Sequence, residues 1–351
     1  MQYLTAGISA FLISIFFTIL VKILAWRFRI IDKPGFWRKV HNRPTPLLGG
    51  TAIFLSFFTV SFFYVFFSDL IIEKYISLIM MAGIWLGGLI IIFGGFLDDK
   101  KSLDPIKQVI SPIFAVCVVI AVGIKIGYIT NPFGGIIDFN NFQFLSIILT
   151  FFWLLGMSYT TKILDGLDGL TTGITLIGTI IIFIVSLFLG PLILPEVGLL
   201  AIIFGGSLLG FLIFNWHKAS IFLGEGGSLF CGFMLGILAI VTDGKIAITF
   251  LVMGIPIIDL LFVVIKRIFK KESPFSHADK KHLHFQLLDI GFSHKQSVIF
   301  LCFLTSILGG VGLFFKSQGR LMAIFILLFL MLLNACFLYL VYKKKKNTRL
   351  I

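Results

Sequence analysis

Runs of about 20 apolar residues, long enough to cross the hydrocarbon core of a bilayer as one helix, recur along the whole chain. They begin near Leu4, Leu47, Tyr75, Gln108, Phe144, Thr172, Glu196, Ser228, Ile246, Ser297 and Arg320, with polar or Gly/Pro breaks between them. Composition leaves no other use for them. Of 351 residues, 58% are apolar and 13% charged, against about 45–50% and about 25% in a soluble domain. Too little polar material remains to coat a globule of this size. That excludes a soluble enzyme, a disordered chain and a disulfide scaffold. The expected fold is all-α: one polytopic membrane domain over residues 1–342, with about eleven transmembrane helices, and a basic tail over 343–351. The run at Ser228 is short and Ile246 follows closely, so a count of ten is the alternative.

Basic residues set the expected orientation. Arg27, Arg29, Lys33, Arg38, Lys39 and Arg43 share the first loop. Lys100, Lys101 and Lys107 lie in the third, Lys162 in the fifth, Lys218 in the seventh, and a dense set from Lys266 to Lys295 in the ninth. Lys343 to Lys346 follow the last helix, whereas the even loops hold only Lys74, Lys125, Lys245, Lys316 and Arg320. The positive-inside bias then puts the N-terminus outside and the C-terminus in the cytoplasm. The net charge of +13 is explained by anionic lipid at the inner membrane face, not by nucleic acid. Cys117, Cys231, Cys302 and Cys336 sit in apolar runs without metal-ligand spacing and read as small hydrophobes. The first apolar run is too long for a signal peptide, so no cleavage is expected. Chemistry is therefore confined to the cytoplasmic loops at 27–47, 97–108, 158–171, 215–228 and 266–296.

Ionisable groups at membrane edges are functional candidates. Three acidic clusters fall in those loops: Asp98-Asp99, Asp165-Gly-Leu-Asp168-Gly, and Glu225 within Gly224-Glu225-Gly226-Gly227-Ser228. Adjacent carboxylates repel, so Asp98 and Asp99 need a cation, either Lys100 and Lys101 or a metal ion. Asp165 and Asp168, at i and i+3, would share one helix face. Carboxylates without cysteine suit a hard cation such as Mg²⁺. The glycine-rich stretch at Gly224 opens a helix whose free N–H groups suit an anion, although glycine also suits a plain loop start. The loop from His277 to Gln286 carries His277, His282 and His284 among lysines, which fits a diphosphate better than zinc. Asp259, just after Pro256, is expected to cap or pair near a kink that Pro256 permits.

Taken in order, the segments Lys39–Gly50, Phe96–Pro105, Leu164–Gly173, Gly205–Asn215 with Phe222–Phe233, Pro256–Asp259 and Asp279–Gln296 resemble the polyprenyl-phosphate N-acetylhexosamine-1-phosphate transferases (glycosyltransferase family 4). The Lys281-His282-Leu283-His284 loop and the basic tail look more like the undecaprenyl-phosphate GlcNAc-1-phosphate branch than the muramoyl-pentapeptide branch. The resemblance implies a Mg²⁺-dependent enzyme, with Mn²⁺ as the alternative ion. It would transfer a sugar-1-phosphate from a UDP-N-acetylhexosamine to polyprenyl phosphate and release UMP at the cytoplasmic face; a homodimer is compatible with it. By matching position, Asp98, Asp99, Asp165 and Asp168 would be catalytic, and Asp99, Asp168 and Glu225 would hold the metal. Lys39, His41, Lys107, Lys162, Asn215, His282 and His284 would bind substrate.

Five departures touch polar positions. Glu225 stands where the family usually has Asp, and Lys162 where it commonly has Asn. Gln108 and Pro112 stand where it has Lys and Gln, and Phe285 where it has a third His. One reading is charge relocation, with Lys162 or Lys107 supplying the cation missing at Gln108. The others are altered sugar preference and lost catalysis. A polyprenyl-phosphate-binding relative without turnover is therefore the second functional class, and a transporter the third. A transporter would place acids at mid-membrane, often in repeated halves, and neither feature is visible.

Overall fold

The computed structural model describes all residues except 35–42, 69, 73–74, 132, 140, 190–192, 243–245, 270–281, 316, 330–332 and 334–351. Each of the expected apolar runs has a helix: α1 (Gln2–Arg27), α2 (Gly49–Phe67), α3 (Leu78–Lys101), α4 (Pro105–Ala121), α5 (Gln143–Leu164), α6 (Leu170–Ile184), α7 (Pro195–Asn215), α8 (Gly224–Val241), α9 (Ile246–Val252) with α10 (Gly254–Phe269), α12 (His294–Phe314) and α13 (Ser317–Phe329). A short α11 (Leu283–Asp289) lies between α10 and α12, and a π-helical turn at Val185–Leu189 prolongs α6. Among the described residues, eight helices are long and apolar enough to cross a membrane, or nine if α9 and α10 count as one bent span. Helices α4 and α13 are apolar but shorter. Two small hairpins interrupt the all-helical pattern: β1 (Ile31–Asp32) with β2 (Thr45–Pro46), and β3 (Tyr128–Thr130) with β4 (Ile136–Asp138).

Packing is inverted relative to a soluble protein. On α1, Leu4, Ile8, Leu12, Phe16 and Ile23 are exposed, while Ala6, Ala10, Ser14, Thr18 and Ala25 are buried. Small residues face the neighbour because lipid competes equally well for large apolar side chains, so close backbone approach and hydrogen bonds must hold the helices. A β-carbon on Gly206 or Gly210 of α7 would overlap the α1 carbonyls of Gly7 and Phe11. Ser14 Oγ donates to the Ser207 carbonyl at 2.6 Å, Ser56 Oγ to that of Ala10 at 2.8 Å, and Ser207 Oγ to Ser56 Oγ at 3.0 Å, tying α1, α2 and α7 together. This large exposed apolar surface is that of a multi-pass membrane protein.

Helix α8, whose apolar run reads as short, is the most buried of the spans. Its first turn packs backbone to backbone on two neighbours: β-carbons on Gly50 of α2 and Gly95 of α3 would overlap Gly227 and Gly226. Farther along, Gly232 meets the Met157 carbonyl of α5. Glu225 is thereby fixed at the convergence of α2, α3 and α8. The expected kink near Pro256 is a break three residues earlier, at Met253, where α9 and α10 meet at 77°. Pro256 lies in the first turn of α10, where a missing N–H costs little.

Candidate active site

Helices α3 and α5 end, and α8 begins, at one end of the bundle. Glu225 is in the first turn of α8, and its backbone N–H donates to Asp99 Oδ1 at 3.1 Å. The helix N-terminus does meet an oxygen acceptor, and that acceptor is the Asp99 carboxyl group of α3. Gly224 has a φ of +77° and lies against Asp99 Oδ2, so a side chain there would be strained and would press on that oxygen.

Lys162, in the last turn of α5, forms an ion pair with Glu225 Oε1 and donates to Gln108 Oε1 at 3.0 Å. Gln108 Nε2 passes the connection on to Asp98 Oδ1 at 3.1 Å, and the Leu103 N–H donates to the same oxygen at 2.8 Å. A continuous chain thus runs Glu225–Lys162–Gln108–Asp98. Lys100 and Lys101 are exposed, with the Lys100 ammonium 5.9 Å from the Phe96 ring centroid. Lys107 pairs with Asp104 at 3.5 Å on the surface. Of the lysines considered as replacement cations, Lys162 is the one that reaches Gln108.

Asp165 and Asp168 do not share a helix face. Helix α5 ends at Leu164, and Asp165 to Gly169 form a turn in which Gly169 adopts a φ of +76°. The i, i+3 spacing orders side chains only while a helix continues, and Gly166 and Gly169 stop this one. Asp165 keeps an exposed surface in that turn. The protein packed around it, then the charge of Glu225 and more weakly that of Asp168, pushes its carboxyl up to about 7, with the Thr171 hydroxyl partly offsetting them.

Asp168 turns the other way. Its Oδ2 accepts from His217 Nδ1 at 3.0 Å and from the Ala219 N–H at 3.1 Å, with His294 Nε2 at 4.0 Å. The two imidazoles stack at 4.2 Å beside a cleft of about 460 Å³ lined by His217, Lys218, Ser293, His294 and Lys295. Among the described residues, Asp168, His217 and His294 are the one acid/His/Cys set whose ligand atoms all lie within 4.8 Å of one another. The expected trio Asp99, Asp168 and Glu225 is therefore not gathered into one ligand set, because Asp168 is drawn to the histidines.

The His loop packs on Gly166, the residue after Asp165. His282 Nδ1 bonds to Asp259 Oδ2 at 2.8 Å, so Asp259 pairs with this loop, and the Leu283 N–H donates to Asp259 Oδ1 at 3.3 Å. The His284 ring lies parallel to that of His282 at 5.9 Å, with Nε2 against Gly166. Burial, reinforced by the nearby His282 and His294, pushes His284 down to about 3, so its ring is neutral. Asn215 is enclosed: Oδ1 accepts from the Gly169 N–H and Thr172 Oγ1, both at 3.1 Å, and Nδ2 donates to the Ile221 carbonyl at 3.1 Å. These bonds brace the turns that carry Asp168 and His217. Lys39, His41 and His277 lie outside the described residues.

His217 and His294 are the site residues that reading by local motif misses. One signal could have found them: all six histidines of the chain fall in the first, seventh and ninth loops, on the side expected to be cytoplasmic.

The acids Asp98, Asp99, Asp165 and Glu225 offer oxygen donors only, with one lysine paired among them, a donor set and charge balance that fit a hard divalent cation. Residues 81–243, spanning all of these acids, match the model of glycosyl transferase family 4. A probable undecaprenyl-phosphate N-acetylglucosaminyl 1-phosphate transferase of Bacillus subtilis is 31% identical over 337 residues, covering 94% of this chain and 90% of that protein. The chain belongs to glycosyl transferase family 4. A decaprenyl-phosphate N-acetylglucosaminephosphotransferase of Mycolicibacterium smegmatis is 30% identical over 338 residues, covering 90% of this chain and 82% of the relative. A phospho-N-acetylmuramoyl-pentapeptide-transferase of Staphylococcus saprophyticus is also 30% identical, over 337 residues, with 89% and 98% covered. Membership places the chain among membrane phospho-sugar transferases, on the branch of the N-acetylglucosamine-phosphate enzymes.

Proposed function

We propose that this chain transfers an N-acetylhexosamine 1-phosphate from a UDP-linked sugar to polyprenyl phosphate, releasing UMP, as the first membrane step of a cell-envelope glycan pathway. The observation that carries this reading is the meeting of acids from α3 and α8 around Lys162 at one end of the bundle, with Asp165 of the α5–α6 turn near enough to feel the charge of Glu225. The relatives' named reactions support the substrate classes.

Phosphoryl transfer is mostly positioning and charge neutralisation. An oxygen of the lipid phosphate attacks the phosphorus that bears the sugar. The bond from that phosphorus to the bridging oxygen breaks, and UMP leaves with that oxygen. The Asp98–Asp99 pair accepts the proton when the lipid phosphate arrives as its monoanion. Asp99 and Glu225 would hold a divalent cation, Mg²⁺ or Mn²⁺, which supplies positive charge to the diphosphate as its charge redistributes. Asp165 and Asp168 border the nucleotide side. His217, Lys218, His294 and Lys295 line the cleft that would receive the diphosphate. Asn215 positions the turns around that cleft instead of touching substrate. The site faces the cytoplasm, where the lysine-rich loops lie.

The test is UMP release from UDP-GlcNAc by the purified protein with polyprenyl phosphate and Mg²⁺, with the lipid product identified by mass spectrometry over a panel of UDP-sugars. A polyprenyl-diphosphate sugar supports the reading, and no UMP from any sugar of the panel overturns it. The Lys162–Glu225 pair favours one second reading, a relative that binds without turning over. Its signature is saturable binding of polyprenyl phosphate with no UMP.

A further inference from the structure

We propose that Lys162 is a tethered cation: its ammonium holds on Glu225 the place of a divalent ion, and must leave before that ion binds. The inference rests on the reading that Asp99 and Glu225 are the ion's ligands. Lys162 touches Glu225 Oε1 and bonds to Gln108 Oε1 at 3.0 Å, and its ammonium lies 5.4 Å from the centroid of the Tyr159 ring. Its side chain is 23% exposed and that of Glu225 is 15%, so the pair is largely shielded from water and its attraction is only partly screened.

Each partner also suits its own helix. Lys162 is in the last turn of α5, at the negative end of that dipole, and Glu225 is in the first turn of α8, at the positive end. The chain itself therefore supplies Glu225 with a counter-ion, through two helix ends that meet. Asp98 is connected to the same ammonium through Gln108, so one lysine links the acids of α3 and α8. A divalent ion approaching Glu225 meets a positive charge already in place. The flexible four-carbon stem of lysine lets that charge withdraw, at a cost paid from the ion's binding free energy.

The experiment titrates Mn²⁺ alone into the full chain in lipid nanodiscs, following free Mn²⁺ by electron paramagnetic resonance. Four substitutions are compared with the parent protein: Lys162→Met, Lys162→Asn, Lys162→Arg and Glu225→Gln. Removing a charge at this distance is expected to tighten Mn²⁺ binding about tenfold or more in Lys162→Met and Lys162→Asn. Lys162→Arg should keep the parent affinity, and Glu225→Gln should abolish the tight site. As a second readout, the neutral variants should melt lower than the parent without Mn²⁺ and recover with it. Equal or weaker Mn²⁺ binding by both neutral variants, with Glu225→Gln still disruptive, sinks the tethered cation alone. If neither the parent nor the neutral variants bind Mn²⁺, the ion assignment to Asp99 and Glu225 falls and takes this inference with it.

Discussion

His284 packs its Nε2 against Gly166 with 2% of its surface exposed, and its imidazole is held down to about 3 by burial and by its histidine neighbours. An unfolded histidine titrates near 6.5. Between those values the unfolded chain binds a proton that the folded chain refuses, so stability falls as pH drops below about 6.5. By pH 5 this one residue should cost about 2 kcal/mol. Melting temperature in detergent, scanned from pH 7.5 to 5, should therefore slope downward in the parent and less steeply in His284→Gln; identical slopes would remove His284 as the cause. The same scale shows what local motifs leave hidden. Glu225 and Lys162 each stand out in the sequence, one as an acid in a glycine-rich helix start and the other as a lysine beside Asp165. Their contact is invisible there, because no periodicity couples the end of α5 to the beginning of α8. Asp168 is the sharper case: its spacing from Asp165 suggested a shared face, and its actual partners, His217 and His294, come from other helix ends.

Among the elements, α8 decides the geometry of the site. Its first turn has backbone contact with α2 through Gly50 and Gly227, and with α3 through Gly95 and Gly226. A methyl group at Gly95 cannot be absorbed by rotating a side chain, since it meets backbone. Gly95→Ala should push α3 from α8, disturb the Asp99–Glu225 contact and destabilise the fold by about 3 kcal/mol. Gly310→Ala on α12, where nothing lies within 4 Å of the added carbon, should leave stability unchanged or slightly raised. Thermal denaturation and UMP release on both variants check this, and indistinguishable behaviour would mean that the glycine contact is not what places Glu225. Helix existence was legible because apolar run length is a one-dimensional property that hydropathy reads directly. The 77° break between α9 and α10 was not. The segment stays apolar through the bend, so hydropathy reads one run while the direction of the chain changes inside it. Pro256 drew attention to the right region, yet the turn occurs at Met253, ahead of the position where proline's missing N–H is tolerated.

For the whole molecule the open quantity is sidedness, and it depends on how many helices cross. Helix α4 spans Pro105–Ala121, 17 residues, or about 26 Å at 1.5 Å per residue, slightly less than the hydrocarbon thickness of about 30 Å. If α4 crosses, the turn at Ser102 and the hairpin tip at Phe133 lie on opposite sides; if it lies along the surface, they share one. The distribution of lysines and arginines argues for crossing, because Lys100 and Lys101 precede the helix and Lys107 lies in its first turn, while Lys125 alone follows it closely. Ile290, between α11 and α12 and 64% exposed, should lie on the side of Ser102 if α9 and α10 together make one bent crossing. The decisive measurement places single cysteines at Ser102, Phe133 and Ile290 in a background lacking the four native cysteines and exposes intact cells to a membrane-impermeant maleimide. Phe133→Cys should label at once, and Ser102→Cys and Ile290→Cys only after permeabilisation. Labelling of Ser102→Cys and Phe133→Cys from the same side would remove α4 as a span. Labelling of Ile290→Cys from outside while Ser102→Cys stays protected would contradict the packing of His284 on Gly166 and of His294 beside Asp168, which puts α11 on the side of the acids.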